Sequence, residues 1–89
     1  MMANEPATKY IIRNTYENGT ILFVKEGDFG KLSEVDRLGD AAFYSTAEDA
    51  LIRAKRYALE IHKHGDGVKT TMVDVMAVKL TETRYGFSV

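Results

Sequence analysis

Phe43-Tyr44-Ser45-Thr46-Ala47-Glu48-Asp49-Ala50 carries an aromatic, extended run straight into an alanine-rich helical pattern. Ser45 and Glu48 have the spacing of a capping box. The serine oxygen accepts from a free backbone N–H of the first turn, and the glutamate reaches back to the N–H of Ser45. This predicts one helix from Thr46 to about His64, stopped by Gly65, with His62, Lys63 and His64 at the negative end of its dipole. At 100° per residue Ala47, Ala50, Leu51, Ala54, Tyr57, Ala58 and Ile61 share a face suited to packing on a sheet. Ile52 and Leu59, seven positions apart and flanked by Lys55, Arg56 and Lys63, form a second apolar seam open to the loop or to another molecule.

Upstream of the helix, Asn18-Gly19 separates Lys9 to Tyr16 from Thr20 to Lys25, both rich in β-branched and aromatic residues. Asn-Gly favours a two-residue type I′ turn, so a β-hairpin is expected with Tyr16 opposite Ile21, Asn14 opposite Phe23 and Ile12 opposite Lys25. That register gathers Tyr10, Ile12, Tyr16, Ile21 and Phe23 on one face, and Ile11, Leu22 and Val24 with Arg13 and Thr15 on the other. Residues 27–40 are long for a loop in so small a domain and read either as a mobile functional segment or as a hidden short element, for which Ser33-Glu34-Val35-Asp36 offers a single helical turn; residues 41–44 read as a short third strand.

Met72 to Leu80 is apolar on both alternating faces apart from Asp74 and Lys79, the pattern of a strand with neighbours on both sides, and is placed centrally. Arg84 to Val89 is an aromatic tail suited to an edge strand or to crossing onto a neighbouring subunit. The reading is therefore α+β, an antiparallel sheet of three to five strands with one long helix on one face, in the order ββ(β)αβ. Residues 1–8 are expected as a disordered tail and 9–89 as a single domain, since 89 residues leave no room for two independent cores.

Composition excludes several classes. The chain has no cysteine, which removes disulfide frameworks and thiolate chemistry and fits a reducing cytoplasm. Its longest apolar runs fall far short of the roughly 20 residues of a membrane span, and the first residues have neither the basic start nor the apolar core of a secretion signal. A cytoplasmic protein with no membrane partner is expected. Formal net charge is −1, but unevenly spread: seven acids face two bases between Glu26 and Asp49, a net of −5, and five bases face two acids between Ala50 and Thr70, a net of +3. Helix polarity accounts for part of this; the acids before the helix point instead to a partner-facing surface.

No catalytic, metal or nucleotide signature is present. His62 and His64 point about 200° apart on a helix, so even with Asp66 nearby they read as dipole compensation and not as ligands. Asp28-Phe29-Gly30 matches the kinase magnesium tripeptide by letters alone; without a glycine-rich loop or a His-Arg-Asp loop it reads as a turn with Phe29 folded back on the core. Ser45 is a cap without an activating histidine, and Asp74 suits an edge position or a pairing with Arg13 or Lys79. The chain is read as no enzyme and as needing no cofactor. Partner binding is assigned to Asp28, Phe29, Glu34, Asp36 and Asp40 of the acidic segment and to Ile52, Lys55, Arg56 and Leu59 of the helix. The alternative is a nucleic-acid or small-ligand module using Arg53, Lys55, Arg56, Lys63 and Lys69 with exposed sheet aromatics.

The Tyr10-Ile11-Ile12-Arg13 strand, the Asn-Gly hairpin and the Ala41 to Ala50 step, with its aromatic-Ser-x-x-Glu-x-Ala junction, resemble small uncharacterised proteins encoded by bacteriophages and prophages. The resemblance spans roughly Lys9 to Tyr57. It implies an accessory factor or inhibitor that contacts a host or phage protein, and it brings no catalytic residues. A homodimer is expected separately, because so small a core leaves a thin margin of stability.

Overall fold

The structure is a computed structural model and describes residues 7–63 and 67–80. Its elements are β1 (Ala7–Tyr16), β2 (Ile21–Glu26), β3 (Leu32–Val35), α1 (Ala47–Lys63) and β4 (Thr70–Leu80). The four strands form one antiparallel sheet in the order β3-β2-β1-β4, with α1 lying over β1 and β4, which is the α+β class the sequence indicates. β1 already includes Ala7 and Thr8, two residues before the expected Lys9. The expected helix stop at Gly65 and the aromatic tail lie outside the described residues.

The first hairpin is present in a different register. Arg13 faces Phe23, Asn14 faces Leu22 and Thr15 faces Ile21, one residue away from the expected pairing. The loop is Glu17-Asn18-Gly19: Gly19 donates to the Tyr16 carbonyl at 2.9 Å with φ +88°, and Tyr16 N–H bonds the Thr20 carbonyl at 2.8 Å. This is the three-residue hairpin in which a glycine in the left-handed region closes the turn. A one-residue slip turns a whole strand over. Tyr10, Ile12, Asn14 and Tyr16 therefore share the helix side with Leu22 and Val24, while Ile21 and Phe23 join Ile11, Arg13 and Thr15 on the back.

The presumed loop holds a second hairpin. Leu32 pairs with Glu26 and Glu34 with Val24, so Ser33 to Val35 is strand and not a helical turn. Its connection is the tight turn Asp28-Phe29-Gly30, closed by Lys31 N–H on the Asp28 carbonyl at 3.2 Å. A single 3-10 turn, Leu38–Asp40, then leads to residues 41–44. These make no full strand. Tyr44 exchanges two backbone bonds with Tyr10, 2.9 and 2.8 Å, and Ala42 N–H bonds the Val24 carbonyl at 2.9 Å. The segment thus wedges between β1 and β2 where the two strands part.

The wedge moves the helix cap by one residue. Tyr44 is committed to the bridge and Ser45 becomes the link, its hydroxyl accepting from Lys9 Nζ at 3.3 Å. Thr46 is the cap instead: its Oγ1 accepts from Asp49 N–H at 3.1 Å, and Glu48 and Asp49 place negative charge in the first turn. The core between sheet and helix is Ile12, Val24, Tyr44, Ala50, Ala54 and Tyr57, edged by Leu32, Ile61, Val73 and Val75. Small alanines let the helix backbone approach the sheet. Leu51, expected on this face, is half exposed, because it lies about 90° around the helix from the line through Ala50, Ala54 and Tyr57.

β4 pairs with β1 from Ala7↔Leu80 to Tyr16↔Thr70, with a bulge at Thr15/Tyr16. Among the described residues nothing pairs with its other side, so the strand expected at the centre stands at an edge. Asp74 makes the expected ion pair with Arg13 across this ladder, through Nε at 3.0 Å and Nη2 at 2.6 Å. The pairing holds the Asp74 carboxyl below its ordinary value, the Arg13 hydrogen bonds outweighing partial burial.

Candidate functional site

The side of the molecule where β3 meets the second half of α1 gathers more chemistry than any other described surface. At its tip, Phe29 and Gly30 both have positive φ, +59° and +73°, the mirror-image turn whose twist suits a hairpin. Glycine or asparagine normally takes such positions, and a bulky aromatic there is strained. Phe29 has no packing to offset the strain, since its side chain is fully exposed. The expectation that it folds back on the core is therefore corrected: the left-handed backbone directs it away from the sheet.

Arg56 fixes this turn to the helix. Its Nη2 donates to the Gly30 carbonyl at 2.6 Å, and a Cβ on Gly30 would sit 3.7 Å from the same guanidinium. Below lies a groove of about 450 Å³ lined by Leu32, Tyr57 and Ile61, with Lys31, Glu34, Arg56 and Glu60 around its rim.

The groove ends on a polar cluster. Glu34 points to the helix side of the sheet because it stands two residues from Leu32 on the same face of β3, and its carboxylate accepts from three donors. Tyr16 OH reaches it at 2.7 Å, Asn14 Nδ2 at 3.3 Å, and Tyr57 OH closes on the same Oε1. Asn14 is completely buried and its Nδ2 also donates to Tyr57 OH at 2.7 Å, while its Oδ1 has no partner. Burial and then the Glu34 contact push the Tyr16 phenol up to about 12 and raise Tyr57 as well, since each phenolate would face a carboxylate. The cluster is a carboxylate cradled by fixed donors, and it ties β1, β3 and α1 together.

A second cluster secures the start of the helix. Arg53 Nε donates to Glu26 Oε1 at 3.0 Å, Tyr44 OH donates to the same oxygen at 3.1 Å, and the guanidinium lies 5.3 Å from the Tyr44 ring centre. Burial would raise Glu26, but the bonds from Arg53 and Tyr44 win and lower it; Tyr44 itself is pushed up to about 12, by burial first and Glu26 second.

Of the residues assigned to partner binding, the structure brings Phe29, Glu34 and Arg56 to one corner, with Asp28 in the same turn. Asp36 and Asp40 lie exposed on the connection from β3 to the wedge. Ile52 and Leu59 are 63% and 65% exposed and Lys55 is exposed beside them, on the side of α1 turned away from the sheet. No loop covers that seam among the described residues. Asn14, Tyr16 and Tyr57 escaped the sequence reading as site residues; the available signal was Asn14, a lone amide in the alternating run Tyr10, Ile12, Asn14, Tyr16.

Among the described residues no cluster of histidines and acids could hold a metal ion, and the His64 and Asp66 of the metal reading fall outside them. No described helix is long and apolar enough to cross a membrane. No known protein family, curated protein or solved structure matches the chain.

Proposed function

We propose that this is a non-enzymatic binding protein that grips a partner protein at the β3–α1 corner, with Phe29 as the inserted anchor and the Leu32–Ile61 groove as the surface that closes around it. The observation that carries this reading is Phe29, an aromatic kept fully exposed on a backbone that penalises it. Exposed aromatic anchors framed by charged rims are where binding energy concentrates in protein interfaces. Lys31, Glu34 and Arg56 supply such a rim. The resemblance of the strand-to-helix junction to phage-encoded proteins gives the finer form of the proposal: an accessory factor or inhibitor working in the host cytoplasm on a host or phage protein.

The test is affinity capture with the wild-type chain and with Phe29→Gly side by side. A partner retained by the first and lost by the second supports the assignment, and identical capture by both sinks it. The small-ligand alternative draws on the groove volume, which falls in the usual range of about 300–1,000 Å³. Its nucleic-acid form draws less, because Arg53 is engaged by Glu26 and Asp49 and Arg56 by the Gly30 carbonyl.

A further inference from the structure

The outer edge of β4, unpaired among the described residues, has a composition that contradicts its position. Eleven residues long, about 36 Å at the usual strand rise, it contains no proline. Of its two charges, Asp74 is neutralised by Arg13, leaving only Lys79 near the end. Edge strands that must stay single are short, charged, bulged or interrupted, whereas the bulge of β4 is confined to Thr71 at its start and Met72 to Leu80 run in regular register. Apolar residues on both faces, Met72, Met76 and Val78 behind and Val73, Val75 and Ala77 in front, belong to a strand with two neighbours.

The ladder shows which backbone groups of β4 face outward. Tyr10 gives its N–H and C=O to Tyr44, away from β4, so its partner Ala77 must also turn both groups away from β1. By alternation Val75, opposite Ile12, and Val73, opposite Asn14, do the same. On the helix above the sheet, Arg53, Arg56 and Glu60 project from the flank of α1 that overhangs β2 and β3, away from this edge. Leu51 and Ala58 occupy the opposite flank, over β4, where Leu51 is half exposed.

We propose that a second copy of this chain pairs its own β4 antiparallel against this edge, about a two-fold axis at Val75 or Met76, to give one eight-stranded sheet. Like residues then meet on like faces, as an isologous contact requires, and Val73, Val75 and Ala77 of each copy exchange backbone hydrogen bonds. The axis stands perpendicular to the sheet, so both helices lie on the same side. With α1 above the β1–β4 pair and strands about 4.8 Å apart, the two helix axes come to about 10 Å from one another, normal helix packing, with Leu51 and Ala58 between them. An edge of this length and two layers deep offers on the order of 700 Å² per copy, close to the roughly 800 Å² of stable interfaces. This interface is separate from the β3–α1 corner and leaves both copies of Phe29 free.

Sedimentation of the full chain over a range of concentrations tests it, with Ala77→Pro and Leu51→Lys beside the wild type. Ala77 is exposed and its N–H is not used by β1, so proline there spares the fold while blocking the edge. The expected result is a wild-type dimer, at least tenfold weaker in either variant, and amides of Val73, Val75 and Ala77 whose exchange slows as concentration rises. A monomer at all concentrations overturns the proposal, and so does a dimer that Leu51→Lys leaves equally strong. Protection of those three amides independent of concentration also overturns it, because a segment of the same chain would then cover the edge.

Discussion

Replacing Phe29 with glycine should stabilise the fold. The aromatic ring is fully exposed, so removing it forfeits no buried area. The backbone at φ +59°, ψ 24° lies in the left-handed region, which costs an ordinary L-residue about 1–2 kcal/mol and glycine almost nothing. Against that gain stands the greater freedom of glycine in the unfolded chain, about 0.5–1 kcal/mol. The net expectation is about 0.5–1 kcal/mol of added stability. For a domain of this size that raises Tm by about 2–8 °C. Phe29→Ala keeps the backbone penalty and should leave stability within about 0.5 kcal/mol of wild type. Thermal and urea denaturation followed by circular dichroism measure all three chains. Destabilisation by Phe29→Gly of more than about 0.5 kcal/mol would refute the reasoning, since it would mean that the ring packs against the protein in solution. The combination of higher stability with lost partner capture separates an anchor from a structural residue.

Three further outcomes follow from the polar contacts. Thr46→Ala should cost about 1 kcal/mol and Ser45→Ala less than about 0.5 kcal/mol in the same denaturation assay, because Thr46 caps the helix. Tyr57→Phe removes the hydroxyl shared by Asn14 and Glu34 and leaves the buried amide short of a partner; a loss of about 1–3 kcal/mol is expected. With Tyr16 and Tyr44 raised to about 12, the stability they lend is complete below pH 10 and lost as pH rises from 10 towards 12; spectrophotometric titration should show phenols ionising together with alkaline unfolding.

The helix was legible to within a residue at its start, because an alanine-rich face and first-turn acids reinforce each other. Its cap was misassigned from Ser45 to Thr46 for a reason invisible in the local pattern: Tyr44 is held by Tyr10, far away in the chain. The hairpin was legible as a hairpin, yet Asn18-Gly19 served a three-residue loop, and that single residue exchanged the faces of β2, so that Leu22 and Val24 rather than Ile21 and Phe23 join Ile12 and Asn14 beneath the helix. β3 was missed because it is four residues long and its turn puts phenylalanine where glycine or asparagine is expected. The site corner was half legible: charge patterning drew attention to Glu34 and Arg56, but their meeting point with Tyr16, Asn14 and Tyr57 depends on pairing that only the folded sheet defines. Ile52 and Leu59 lie exposed on the side of α1 turned away from the sheet and take no part in the polar cluster.

The pairing of β1 with both β2 and β4 also sets an order of assembly. β1 to β3 is a meander of neighbours in the chain, closable through short turns, whereas the Arg13–Asp74 contact joins residues 61 positions apart. Closing so long a loop is entropically dearer and slower than closing either hairpin. The meander is therefore the part of the sheet able to form first, and until β4 arrives the inner strand β1 is itself a bare edge. Completion of the sheet transfers the outermost position from the strand that carries Ile11 and Ile12 to β4, the last strand among the described residues.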